Sequence, residues 1–181
     1  MTLPLRLAGA GLWAALAAVA AFSPMHSAPA SLAVQHRLHP RDTGISIRLG
    51  LELERAQRDP EAERVLLDAA RLDHQHLPAW TLTNFYFRRQ NTERFWFWAR
   101  RTASLTYDDF RPLLRLTEHV DRDPLSVVAR LGNRPELLRA YLDLLIAEPR
   151  RIPDALKIAA LLAARCDRAD RDRLAAVDGL H

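Results

Sequence analysis

The chain repeats its own pattern at a spacing of 34 residues without a gap, and this repeat limits the fold more than any single residue does. Repeats of this length are single supersecondary units that bury their apolar faces only by stacking on neighbours. The repeat therefore predicts a stack of helix pairs. The aligned positions are Ser46, Leu49, Gly50, Leu53, Ala62, Leu66 and Ala69 in the first segment and Trp80, Thr83, Asn84, Phe87, Trp96, Arg100 and Ala103 in the second.

Helix-start signals recur along the chain after Pro40. A polar residue of the kind that caps helices comes one or two positions before a proline that fits the first turn of a helix. This pattern occurs at Asp59-Pro60, Asp123-Pro124 and Asn133-Arg134-Pro135. No segment alternates apolar and polar residues with a period of two, so the predicted fold is all-α, with short connections that make neighbouring helices antiparallel. The predicted helices are at about 43–57, 60–74, 78–90, 92–106, 110–120, 124–131, 135–148, 153–165 and 169–178.

The first thirty residues differ in composition from the rest. Arg6 is their only charged residue, and residues 7–22 form an apolar run that is followed by the small-residue pattern Ala28-Pro29-Ala30. This arrangement is typical of an export signal, although a retained helical anchor would look the same. Both alternatives place the body on the periplasmic side. It is either secreted after cleavage before Ser31 or tethered to the inner membrane through residues 7–22.

Composition favours a globular binding domain over an enzyme. The 181 residues are 49% apolar and 27% charged, and the formal charge of +4 comes from cations that lie near acidic residues or helix ends, so we expect no nucleic-acid partner. The histidine pairs His36/His39 and His74/His76 lack a third ligand at a metal-binding spacing. No HExxH motif, glycine-rich phosphate loop or catalytic trio occurs, so we expect no catalytic residue, metal or cofactor.

The segment from Thr43 to His76 resembles the tetratricopeptide repeat (TPR) family. Leu49-Gly50 matches the family's Leu-Gly pair, and small residues there and at Ala62 suit a close approach of the two helices. The resemblance implies a right-handed TPR-like solenoid with two units at 43–110, degenerate TPR-like repeats at 111–181, a signal or anchor at 1–30 and a linker at 31–42. The expected repeat-packing residues are Leu49, Gly50, Leu53, Ala62, Leu66, Ala69, Trp80, Phe87 and Ala103; the second unit departs from the pattern at Asn84, Trp96 and Arg100.

The resemblance also implies a function. Family members bind a peptide or a partner helix in the concave groove that the first helix of each unit lines. A mixed apolar and arginine surface suits an acidic or aromatic-bearing protein or peptide, and it does not suit the family's carboxylate-clamp subtype. Carried over position by position, the expected partner-binding surface is Ile47, Arg48, Leu51, Glu54 and Arg55 with Thr81, Leu82, Phe85, Arg88 and Arg89.

Two aromatic clusters, Phe85-Tyr86-Phe87 and Phe95-Trp96-Phe97-Trp98, admit two explanations. Four consecutive aromatics point around most of a helix, so they either contact helices on several sides or leave one or two rings exposed. Exposed rings would anchor a protein, a glycan or a membrane surface. The sequence therefore predicts an exported TPR scaffold for protein–protein interaction. The alternatives are a structural spacer of a larger envelope protein and a glycan-contacting surface.

Overall fold

The structure is a computed structural model that describes the backbone of residues 29–178 and the side chains of residues 31–165. All regular structure in this part of the chain is helical, which confirms the predicted all-α class. The predicted export segment at 1–30 lies almost entirely outside the described residues, and no described helix is long and apolar enough to span a membrane. The helices are α1 (Pro29–Leu38), α2 (Thr43–Arg55), α3 (Asp59–Leu72), α4 (His76–Arg88), α5 (Thr92–Leu105), α6 (Arg111–Glu118), α7 (Pro124–Leu131), α8 (Pro135–Ile146) and α9 (Ile152–Asp178), with a 3-10 turn at Pro149–Arg151.

The structure differs from the sequence prediction at both ends of this region. Most of the stretch expected to be a linker at 31–42 is helix α1, whose Leu32 is buried in the core. The two helices expected at 153–165 and 169–178 are one helix, α9. Neither proline nor glycine occurs between Asp154 and Asp178, so nothing in the backbone ends the helix there.

Capping follows the prediction at some helix starts and departs from it at others. Asp123 caps α7 by accepting hydrogen bonds from the backbone N–H groups of Leu125 and Ser126, both at 3.3 Å. Asp59, in contrast, is the first residue of α3 rather than its cap, and its carboxylate pairs with Arg89.

Two helix pairs repeat each other along the chain. Helices α2 and α3 span 43–55 and 59–72, and α4 and α5 span 76–88 and 92–105, so position 43 corresponds to 76 and position 59 to 92. A 13-residue helix, a three-residue turn, a 14-residue helix and a three-residue connection make up one repeat. The sequence alignment, which set position 46 opposite position 80 instead of 79, is therefore wrong by one position. That error amounts to a rotation of about 100° around a helix.

The turn inside each pair is the same. Gln57 and Gln90 adopt positive φ angles of 59° and 54°. Around Gln57, the N–H of Arg58 bonds to the carbonyl of Leu53 and the N–H of Gln57 to that of Glu54, and the same two bonds recur around Gln90. This is a Schellman motif, in which a left-handed residue satisfies the last carbonyls of a helix.

Burial repeats with the same offset. Gly50 lies so close to Leu66 that a Cβ atom at position 50 would be 2.5 Å from Leu66 Cδ2. The equivalent positions in the second pair carry Thr83 and Ala99, which are both buried, whereas the previously aligned Arg100 is exposed. The expected packing residues Leu49, Gly50, Leu53, Ala62, Leu66, Ala69 and Ala103 are buried, and Trp80 and Phe87 are half-buried.

Packing changes after α5. Helix α5 contacts α7, α6 contacts α8, α7 contacts α9, and α8 packs closely on α9. The Arg134 guanidinium closes the end of α5 by donating to the carbonyls of Ala103, Ser104 and Thr106 at 3.1, 3.2 and 3.2 Å. It also lies 5.5 Å from the centre of the Phe110 ring. This positive group stands where the helix dipole is negative, so it stabilises the junction between the repeated pairs and the last helices.

Candidate functional site

Helices α2 and α4 are neighbours, and each leaves one side open. Exposed or half-buried residues recur on both helices at steps of three or four, which places them on one side of each helix. We call this surface the α2–α4 face. It consists of Arg48, Leu51 and Arg55 on α2 and Trp80, Asn84, Phe87 and Arg88 on α4.

The structure places only part of the expected binding surface on this face. Arg48, Arg55 and Arg88 are exposed, and Leu51 and Arg89 are half-buried. The expected contact residues Ile47, Thr81, Leu82 and Phe85 are buried, with 7%, 7%, 0% and 2% of their surface exposed. These four side chains, together with Glu54, which has 8% of its surface exposed, are therefore corrected from surface to interior positions.

The register explains most of this correction. With position 43 opposite position 76, Ile47, Leu51 and Glu54 correspond to Trp80, Asn84 and Phe87 rather than to Thr81, Phe85 and Arg88. Asn84 was therefore not predicted to lie at the surface, and Trp80 and Phe87 were predicted to serve packing alone. The helical spacing of these side chains would have predicted that Trp80, Asn84, Phe87 and Arg88 share one side of α4.

A carboxylate cluster lies beneath the arginines of the face. Glu54, with 8% of its surface exposed, accepts hydrogen bonds from Arg88 Nε and Nη2 at 2.8 and 2.6 Å. Arg89 Nη2 lies 2.6 Å from Asp59 Oδ1 and 3.6 Å from Glu54 Oε1. Such a two-pronged pair fixes the geometry of both partners, so Arg88 and Arg89 join α2, α3 and α4. Their charges are already balanced within the protein.

Arg48 and Arg55 differ from these paired arginines. Arg48 makes no hydrogen bond or ion pair with any described residue, and Arg55 pairs with Glu52 at the surface. Exposed pairs contribute little because water screens both charges. These two arginines therefore remain available to an anionic group.

Two cavities border the face. One of about 500 Å³ lies between α2 and α4 and is lined by Leu51, Arg55 and Arg88 among others. A second of about 490 Å³ lies between α4, α5 and the end of α6. Arg88 lines both cavities, and Phe87 meets His119 edge-on at 6.2 Å. The face therefore continues from α2 across α4 to α6.

Most rings of the aromatic clusters belong to the core. Phe85, Tyr86, Phe95 and Trp96 are buried. Phe97 is 64% exposed and meets the half-buried Trp98 edge-on at 5.3 Å. Contact with neighbouring helices thus explains most of these rings, and Phe97 is the ring of the two clusters that lies mainly in solvent.

The described residues contain no group of three or more histidine, cysteine, aspartate or glutamate side chains placed to hold a metal ion. Comparison of the chain with protein-family models, with curated proteins and with solved structures gave no significant match.

Proposed function

We propose that the protein is an exported scaffold of the TPR type that binds a peptide or a partner helix on the α2–α4 face. The observation that carries this proposal is the pair of equivalent helices that present aligned open sides. Each open side combines apolar contact surface with an arginine, Leu51 with Arg55 on α2 and Phe87 with Arg88 on α4, although the charge of Arg88 is balanced by Glu54. Aromatic and arginine side chains dominate the binding energy of protein interfaces.

The chemistry of the face favours an extended, acidic partner with aromatic or apolar side chains. Trp80 and Phe87 offer ring surfaces, and Arg48 and Arg55 offer charge. The Asn84 amide is held in place because its Nδ2 donates to the Trp80 carbonyl at 2.8 Å, which leaves Oδ1 as an acceptor for a partner N–H. A side chain that is already fixed loses less entropy on binding.

Photocrosslinking in cells of the source organism tests the proposed function and locates the binding surface in one experiment. The full chain would carry a benzophenone amino acid at position 84, with position 156 on α9 as the control because Leu156 is 66% exposed and far along the chain. We expect a discrete crosslinked partner from position 84, recovered in the envelope fraction, and none from position 156. Crosslinks of equal yield at both positions, or none from a folded chain, would contradict the proposal and favour a spacer.

A charge variant shows whether the captured partner is acidic. Arg48→Glu should reduce the crosslink from position 84, whereas Arg139→Glu on α8 should not, because both arginines are exposed and unpaired among the described residues but only Arg48 lies on the face. Arg88 and Arg89 are poor choices for charge reversal. Their pairs with Glu54 and Asp59 would turn into repulsions and destabilise the fold.

A further inference from the structure

A second open surface lies between α1 and α3. A cavity of about 870 Å³ is floored by Leu49 and Leu53 of α2 and Val65 of α3, and Arg37 and Arg64 stand on its two walls. We call it the α1–α3 groove. None of the residues that line it belongs to the α2–α4 face.

The repeat shows what this groove corresponds to. Residues 29–38 of α1, moved on by the offset that relates 43 to 76, fall at 62–71, inside α3. Helix α1 packs on α2 as α3 packs on α4. The groove between α1 and α3 therefore has a counterpart between α3 and α5, with α4 as its floor.

Large side chains fill the counterpart. Tyr86 donates a hydrogen bond to Glu63 Oε1 at 2.8 Å, and Arg94 donates to the Tyr86 hydroxyl at 3.0 Å and pairs with Glu63. The Arg94 guanidinium lies 5.5 Å from the centre of the Tyr86 ring, and Trp98 packs against the core. The Tyr86 ring of α4 and the Arg94 guanidinium of α5 thus both reach Glu63 of α3.

The α1–α3 groove lacks these groups. The positions of Tyr86, Arg94 and Trp98 are taken there by Leu53, Glu61 and Val65. Among the described residues, the smaller side chains leave open the space that larger side chains occupy in the counterpart. An occupant that supplies rings would fill this space from outside the chain.

Charge at the rim limits the occupant further. Glu61 is held by two hydrogen bonds of 2.7 Å from Arg58, and Asp68 pairs with Arg71 at 2.8 Å. Arg37 and Arg64 are exposed and make no hydrogen bond or close ion pair with a described residue. The acidic groups are therefore already matched, and the uncompensated charge of the rim is positive. Complementary charge is the usual basis of orientation at an interface.

We infer that the α1–α3 groove binds a helical segment of a partner protein that carries aromatic side chains between glutamates or aspartates. Its rings take the positions that Tyr86 and Trp98 fill in the counterpart, and its carboxylates pair with Arg37 and Arg64. The protein then has two separate docking surfaces, and the α1–α3 groove is the one that recognises a helix with aromatic and acidic side chains.

Fluorescence anisotropy with synthetic peptides tests the inference on the full chain. The probe is a labelled amphipathic peptide of about 14 residues, four helical turns, with tryptophan and glutamate at helical spacing. One control peptide has lysine in place of glutamate, and another has alanine in place of tryptophan. We expect both controls to bind at least about tenfold more weakly than the probe, because each removes one of the two contacts that define the groove.

Two variants locate the binding. Val65→Trp places in the groove the ring that its counterpart contains, and Arg37→Glu with Arg64→Glu reverses the rim charge without touching the core. Each should weaken binding of the probe peptide at least about tenfold, whereas Arg48→Glu on the α2–α4 face should leave that binding unchanged. Circular dichroism verifies that the variants are folded. Equal binding of the lysine peptide, or undiminished binding to the folded rim variant, would overturn the inference, whatever the fate of the α2–α4 face.

Discussion

At position 50 the absence of a side chain sets the distance between α2 and α3. A Cβ atom there would lie 2.5 Å from Leu66 Cδ2 and 2.6 Å from Leu66 Cγ, and Leu66 is 1% exposed. The Leu66 side chain has no free space into which to retreat, because the core around it is closely packed. In the second pair of helices, the equivalent positions carry Thr83 and Ala99 instead of glycine and leucine.

Gly50→Ala should therefore destabilise the protein, even though alanine favours helices. The overpacking cost is about 1–3 kcal/mol and exceeds the helix-propensity gain of about 1 kcal/mol. Leu66→Ala alone should cost about 2–5 kcal/mol, and the double variant should cost less than the two single costs together. Urea unfolding of the four proteins measures this coupling. Strictly additive costs would show that the two residues do not limit each other.

Tyr141 presents a different problem, a buried polar group. Its side chain is fully buried, and its hydroxyl lies near Glu118 and Arg151 but forms no well-aligned hydrogen bond with a described residue. The ion pair of Arg151 with Glu118, 3.0 Å long, joins the same region. Burial raises the pKa of the Tyr141 hydroxyl well above its usual value. The neutral form is thus the one that the folded protein retains.

Tyr141→Phe should be neutral or stabilising by up to about 1 kcal/mol near pH 7, because it removes an unpaired polar atom. In alkali the wild-type protein should lose stability. Above a pH of about 10 the unfolded tyrosine releases its proton, whereas the raised pKa keeps the folded one protonated. In urea titrations, the free energy of unfolding of the variant should fall less steeply than that of the wild-type protein between about pH 9 and 11. Tyr86, whose pKa burial also raises, contributes to the slope that remains. Parallel curves for both proteins would refute this account.

At the scale of helices and turns, sequence patterns located most elements but not their register. Helix α4 carries Leu82-Thr83 and then Phe85-Tyr86-Phe87, so large residues occupy consecutive positions and blur two alignments that differ by one position, although only the offset of 33 pairs Leu49 with Leu82. The positions that decide between them are Gln57 and Gln90, which end the first helix of each pair. Glycine there would have marked the turn, but glutamine carries no such signal. One position of error was enough to assign buried residues to the surface.

Gln57→Gly and Gln90→Gly should each stabilise the protein by about 0.5–1 kcal/mol. Both residues have positive φ, which costs most non-glycine residues about 1–2 kcal/mol, and glycine removes this cost at the expense of greater freedom in the unfolded chain. The matched control is Gln35→Gly inside α1, which should destabilise by about 1 kcal/mol. Thermal unfolding of the three variants provides the comparison. A loss of stability at both turns would show that the glutamine side chains have a role that the turn geometry does not reveal.

At the scale of the whole molecule, the described helices share one core although they touch mainly their neighbours. Buried side chains connect Leu32 of α1 to Ile158 of α9 without a break. Within this core α1 contacts α2, and α3 contacts α4, so stability depends on successive interfaces rather than on one central layer. The sequence predicted that neighbouring helices pack in pairs but not the role of α1. Its apolar residues show no clear helical spacing, and Leu32 is the one residue among 31–38 that is buried.

Loosening α1 should therefore affect the stack locally. Leu32→Asp puts a charge at a position that is 3% exposed and should detach α1 from α2, whereas Val34→Asp changes a position that is 52% exposed on the same helix and should have little effect. In hydrogen exchange followed by mass spectrometry, we expect faster exchange in α1 and α2, a smaller change in α3 and α4, and none in α8 and α9, because in a linear stack each interface stabilises its immediate neighbours. Equal acceleration in every helix would mean that the chain opens as a single cooperative unit. In that case α1 would support the whole core, including the end that it does not touch.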